Sequence, residues 1–161
     1  MPTVVYPGSF DPVSNGHEDI IARISAQFTK VYVLVAVNPI KPQSTFSIEE
    51  RLEMLRDVCK KYPNVEVVST HGFVVDFAAQ VGASLIIKGV RNSADFLMEM
   101  SQYHYNRHLK PSIDTAVFLA ANEHIFIASS AIRELAALGG DISQYVPCEI
   151  VDRIKQKYAD K

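Results

Sequence analysis

Five short runs rich in β-branched residues alternate with stretches of helical periodicity along this chain, and that alternation restricts the fold more than any other feature. Thr3–Tyr6, Val31–Val37, Val65–Ser69, Leu85–Lys88 and Thr115–Ala120 read as strands. Most are too uniformly apolar to leave a wet face, which is the pattern of buried parallel strands. Helices are predicted between them at Gly16–Phe28, with Ile20, Ile21, Ile24 and Phe28 on one side, and at Ile48–Tyr62, Phe73–Val81 and Ala94–Leu109. Ser47-Ile48-Glu49-Glu50 is a capping-box pattern that marks the start of the second helix. A further helix near Ser129–Leu138 stops at Gly139-Gly140, and a last one runs from Pro147 to Lys157. The expected architecture is α/β: a doubly wound, five-stranded parallel sheet with helices on both faces and right-handed crossovers. With 161 residues and no repeat, low-complexity tract or linker, a single domain over 1–161 is expected.

In such sheets ligands lie beyond the carboxyl ends of the strands, at the point where strand order reverses. The polar residues follow that rule. Ser9 to His17 follow the first strand, Asn38-Pro39-Ile40-Lys41 the second, Thr70-His71-Gly72 the third, Lys88-Gly89-Val90-Arg91 the fourth and Ala121 to Ser130 the fifth. In the first loop Gly8 and Gly16 would let backbone approach a ligand, and His17 falls in the first turn of a helix whose start offers N–H groups and a positive dipole end. That is phosphate-binding chemistry, set against the plainer reading of a βα turn with a capping histidine. Lys41, Lys88 and Arg91 could add three cations to the same rim, or each could be an ordinary solvated side chain. Ser129 and Ser130, where the last βα helix begins, suit capping and also a second anion cradle.

A formal charge of −2 with no basic block gives no support for a nucleic-acid partner. Cys59 and Cys148 stand alone, without the spacing of a disulfide or zinc framework. No apolar run is long enough to span a membrane and the first residues enter a strand at once, so a cytoplasmic protein is expected. The rim loops hold no G-x-x-x-x-G-K-[ST] or G-x-G-x-x-G loop, no G-x-S-x-G elbow, no Cys/His nucleophile pair and no paired carboxylates. A reaction needing no protein nucleophile is indicated. Nucleotidyl transfer to a phosphate acceptor is one: the phosphomonoester is already mostly dianionic at neutral pH, and the protein has only to bring two anions together and stabilise charge on the reacting phosphate.

Ser14-Asn15-Gly16-His17 resembles the [T/H]-x-G-H signature of the nucleotidylyltransferases, and Ala128-Ser129-Ser130 occupies the place of their I-S-S-[ST] signature. More narrowly, Tyr6-Pro7-Gly8-Ser9-Phe10-Asp11-Pro12, Lys88-Gly89-Val90-Arg91, Asp95-Phe96 with Glu99-Met100, and Asn106-Arg107-His108-Leu109 resemble the bacterial phosphopantetheine adenylyltransferases over residues 3–155. The resemblance implies a Rossmann-like fold and reversible transfer of AMP from ATP to 4′-phosphopantetheine with Mg²⁺, giving dephospho-CoA and pyrophosphate in coenzyme A biosynthesis. It further implies a homohexamer, with dephospho-CoA and CoA as product or feedback ligand.

By the same resemblance His17, Lys41 and Arg91 are the catalytic set, His17 meeting the α-phosphate in the transition state. Gly8, Ser9, Phe10, Gly89, Glu99, His124 and Ile127 would join His17 and Arg91 around ATP, with Ser129 and Ser130 at the β- and γ-phosphates. Ser9, Lys41 and Lys88 would hold the acceptor phosphate, and Gly72, Phe73, Val74 and Asn106 the pantetheine arm. Four residues depart from the family pattern: Ser14 for Thr or His, Lys88 for the commoner Arg, Ala128 for the first serine, and His124 for an aromatic Trp or Tyr. Two rivals stay open. A sister enzyme would act on nicotinate mononucleotide or a phospho-alcohol, and a non-catalytic nucleotide-binding module would explain Ala128.

Overall fold

The structure, a computed structural model, describes residues 2–40 and 44–160. In chain order the elements are β1 (Thr3–Gly8), α1 (Asn15–Gln27), β2 (Lys30–Ala36), α2 (Ile48–Cys59), β3 (Val65–Thr70), α3 (Val74–Gln80), β4 (Leu85–Val90), α4 (Ser93–Leu109), β5 (Asp114–Leu119), α5 (Ser129–Ala137) and α6 (Val151–Ala159). Single 3₁₀ turns at Asn122–His124 and Cys148–Ile150 precede the last two helices. The strands form one parallel sheet in the order β3-β2-β1-β4-β5. The doubly wound architecture read from the sequence is therefore present, with its reversal of strand order at β1.

Alternate residues of the central strands supply two cores. Val4, Tyr6, Val31, Val33 and Val35 pack with α1, α2, α5 and α6 on one face. Val5, Leu34 and Ile86 pack with Val75 and Ala78 of α3 on the other. β1 pairs with β2 along its whole length but with β4 only at Val4↔Leu85 and Val5↔Ile86. The ladder ends two residues before Pro7, which has no N–H to donate. Beyond that point the carboxyl ends of β1 and β4 are free to flank a crevice.

Three expectations shift. α2 ends at Cys59 and not Tyr62: Pro63 disfavours the helical conformation for the residue before it, and Tyr62 N–H turns back to the Cys59 carbonyl instead. The final helix starts at Val151, because the chain from Pro147 first makes a tighter 3₁₀ bond, Ile150 N–H to Pro147 O. The expectation of fully buried strands fails at the edge: Val117 and Leu119 of β5 are exposed. Beside them α4 buries no residue and presents Phe96, Leu97, Met98 and Met100 to the surface.

Candidate active site

The crevice at the ends of β1 and β4 has two lobes. One, of about 490 Å³, is lined by His17, Arg91, Asp95, Glu99, His124 and the start of α5. The other, of about 680 Å³, is lined by residues 36–38 and 44–48, by Arg51, Val74 and Gln102, and by Lys157 of α6. Pro7, Gly8, Ser9 and Lys88 line both and form the boundary between them.

His17 is set by the first turn of α1. Ser14 is the N-cap, its hydroxyl accepting the His17 backbone N–H at 3.3 Å, while His17 Nδ1 accepts the Ser14 N–H at 3.0 Å. A histidine thus takes the place of the usual Glu in a capping box. Because Nδ1 is an acceptor, the remaining proton sits on Nε2. Burial, then the nearby Arg91 charge, lower the imidazole pKa to about 4, so the ring is a neutral donor at neutral pH. Its floor is the Phe10 ring, edge-on at 4.9 Å.

The two helix starts at the rim differ. At α1, Asn15 N–H is taken by the Tyr145 carbonyl and His17 N–H by Ser14, so fewer N–H groups are open there than the sequence suggests. At α5, Ala128 is an N-cap without a side-chain bond, and among the described residues the N–H groups of Ser129, Ser130 and Ala131 have no protein partner. Those N–H groups and the positive dipole end point to an anion. The Ser129 hydroxyl is not part of that cradle, since it donates to the Pro12 carbonyl at 2.8 Å; Ser130 is exposed.

Arg91 lies beside the same helix start. It grips Asp95 through Nε at 2.9 Å and Nη2 at 3.2 Å, and its Nη1 reaches the Ile127 carbonyl at 2.9 Å. The bond to Asp95 raises its pKa and keeps it charged. Lys88 Nζ, on the boundary, is 3.1 Å from Glu99 Oε2. A Cβ at Gly89 would lie 2.4 Å from Ile20 Cδ1, so a side chain there would need the end of the Ile20 side chain to move. At Gly8 a Cβ would meet the Phe10 ring at 3.0 Å, so the absence of a side chain makes room for that ring.

The structure brings Gly8, Ser9, His17, Lys88, Gly89, Arg91, Glu99, His124, Ile127, Ser129 and Ser130 to one lobe, and Val74 to the other. Phe10 is 1% exposed and belongs to the core, so its side chain supports His17 without lining either lobe. Gly72, Phe73 and Asn106 line neither lobe; Phe73 is a surface residue at the start of α3. Lys41 lies outside the described residues. Sequence reasoning passed over Arg51, Arg133, Gln102 and Lys157, which line the lobes. Arg51 carried a signal, for it falls on the stripe of Leu55 and Val58 at i+4 and i+7 on a helix whose other polar residues lie elsewhere.

The cytidylyltransferase-like family model matches residues 5–135. A phosphopantetheine adenylyltransferase of Finegoldia magna is 45% identical over 98% of this chain and 97% of its own. One from Hahella chejuensis is 42% identical over 99% and 98%. Among solved structures, a Vibrio parahaemolyticus protein assigned as a nicotinate-nucleotide adenylyltransferase superposes with a TM-score of 0.69 over 100% of this chain and 98% of its own, at 15% identity, which is a likeness of fold.

Proposed function

The chain belongs to the phosphopantetheine adenylyltransferases of the cytidylyltransferase-like family, and from that premise we propose that it transfers AMP from ATP to 4′-phosphopantetheine. One observation carries the reading beyond family membership: two lobes of substrate size meet at a boundary made of Pro7, Gly8, Ser9 and Lys88, with a neutral imidazole donor on one side of it. A two-substrate transfer without a covalent intermediate needs this juxtaposition.

ATP occupies the lobe with His17 and the start of α5; the acceptor occupies the other, with its phosphate at Lys88. An acceptor phosphate oxygen attacks the α-phosphorus. That P–O bond forms as the bond to the bridging oxygen breaks, and pyrophosphate leaves with the electron pair. The His17 Nε2–H donates to the α-phosphate oxygen on which charge builds, and being neutral it adds no charge that the ground-state triphosphate would bind equally well. The N–H groups at the start of α5 and the Arg91 guanidinium receive the β- and γ-phosphates. Val74 and Gln102 line the lobe on the side of the pantetheine arm.

Among the described residues no three His, Cys, Asp or Glu side chains are grouped to hold a metal ion. Asp95 and Glu99 are each engaged by a cation. Mg²⁺ suits this site as part of the nucleotide, held by phosphate oxygens and supplying charge neutralisation there. Dephospho-CoA and CoA fit the acceptor lobe as product and feedback ligand. The exposed apolar residues of α4 and β5 suit burial in a homohexamer, and no helix among the described residues is long and apolar enough to cross a membrane; a cytoplasmic location accompanies this reading.

The test is incubation of the pure protein with ATP, Mg²⁺ and 4′-phosphopantetheine, with nicotinate mononucleotide and phosphocholine as rival acceptors. Pyrophosphate release with phosphopantetheine alone is the expected result. Release with a rival acceptor only would assign the sister activity, and nucleotide binding without release would make the chain a binding module.

A further inference from the structure

Phe10 holds a left-handed backbone, φ 47°, with its ring buried. A bulky residue stays in that region only where its surroundings impose it. The carbonyls on either side of it are both gripped by arginines, each from a different helix. Arg51 of α2 donates through Nη1 to Ser9 O at 2.8 Å, and Arg133 of α5 through Nη1 to Asp11 O at 2.6 Å. Between them the Asp11 carboxylate, 6% exposed, accepts the N–H groups of Thr45 and Phe46 at 3.0 and 2.9 Å and lies 3.8 Å from Arg133 Nη1.

Arg51 is itself only 4% exposed. A buried guanidinium is costly to desolvate and is retained where it makes bonds no apolar residue can replace. Its bond to Ser9 O sets the backbone at the boundary of the two lobes. Through Phe10, the next residue, it also sets the surface on which the His17 ring rests.

We propose that Arg51 is a positioning residue for the transfer reaction: together with Arg133 it clasps the carbonyls flanking Phe10, so that Ser9 stands at the lobe boundary and the His17 ring is held toward the α-phosphate. Arg51 acts on the reaction through Ser9 and Phe10. Arg133 lines the nucleotide lobe and Arg51 the acceptor lobe, so a direct hold of Arg51 on the acceptor would show as a rise in the acceptor KM, which the comparison of kcat with KM separates.

The proposal rests on the adenylyl-transfer reading for its kinetic part. Arg51→Gln and Arg51→Lys are compared with the wild type by steady-state kinetics, thermal melting and NMR titration of the His17 ring. In Arg51→Gln, kcat is expected to fall by about tenfold or more while both KM values stay within about threefold. The His17 titration is expected to move by about one pH unit toward that of a free histidine, as the Phe10 support loosens. Arg51→Lys keeps a charge against Asp11 and one donor, and is expected to lie between the two; it decides the matter should Arg51→Gln not fold. A folded variant in which either kcat or the His17 titration keeps its wild-type value overturns the proposal, as does a loss confined to KM. If the wild type transfers no AMP, the functional reading fails, and the His17 titration alone decides whether Arg51 positions that ring.

Discussion

Acidification should destabilise the wild-type protein more than its His17→Ala variant, by an amount set by the environment of one ring. Folding lowers the His17 pKa from an ordinary 6.5 to about 4. Between those two values the unfolded chain binds a proton there and the folded chain does not, so stability rises with pH across the window. The contribution is complete above pH 6.5 and is lost progressively as pH falls toward 4. The shift corresponds to about 3 kcal/mol, reduced to about 2 kcal/mol for a ring that faces an open cleft and for titrations stopped near pH 4.5. Removing the ring also removes the reciprocal bond to Ser14 N–H, which lowers stability by about 1 kcal/mol at every pH. The carboxylates of Glu50, Asp57 and Asp95, whose pKa values are lowered by Lys157, Lys60 and Arg91 in turn, also lose stabilisation with acid, but equally in both proteins. Urea unfolding of the pair between about pH 7.5 and pH 4.5 isolates the histidine as the change in their difference. Two stability curves that run parallel across that range would show that His17 is not held neutral by its surroundings.

Three further outcomes are expected. His17→Ala should lower kcat by about 10²–10³ with the KM for ATP within a few-fold, as for a donor that acts on transition-state charge; retention of more than about a tenth of kcat excludes that role. In calorimetric titration with the phosphate acceptor alone, Lys88→Ala should weaken binding by about tenfold or more and Lys88→Arg by much less, whereas equal affinities for Lys88→Ala and the wild type would free the acceptor phosphate of that charge. Ser129→Ala should cost about 1 kcal/mol in denaturant unfolding by breaking the tie to Pro12 O, yet leave the KM for ATP within about tenfold because the backbone N–H groups remain; a larger change in KM would make the hydroxyl a phosphate ligand after all.

The sheet and its helices were legible because both depend on local patterns: β-branched runs for β1 to β5, the Ser47–Glu50 capping box, the Gly139-Gly140 stop. The rim was legible because strand ends collect ligands in this topology, which brought His17, Lys88 and Arg91 to one lobe from separate loops. What the sequence hid were choices that depend on long-range partners. The Ser129 hydroxyl looks like a phosphate donor until Pro12 O, 117 residues away along the chain, is seen to take its proton. Phe10 in a polar glycine-containing loop looks like a side chain aimed at a ligand, but its ring lies buried beside Gly8. The α1 start looks fully open until the Tyr145 carbonyl, far along the chain, is seen to take the Asn15 N–H. Arg51 reads as a solvated cation unless its place on the Leu55–Val58 stripe is weighed against the charge, and that conflict between pattern and residue type was the available sign of a buried tie.

The thin boundary between the lobes has a consequence for what leaves the protein last. At Pro7, Gly8 and Ser9 the partition is backbone and short side chains, so a molecule joined across it fills both hollows at once. Such a molecule is tethered: once one half is seated, the other is presented to its own hollow at a high effective concentration and needs no separate encounter. The joined product of the proposed reaction is of this kind, and it is expected to outlast either substrate on the protein. Turnover is then expected to be limited by the slower departure of the joined molecule. A synthetic ligand linked across Ser9 would gain from the same tethering.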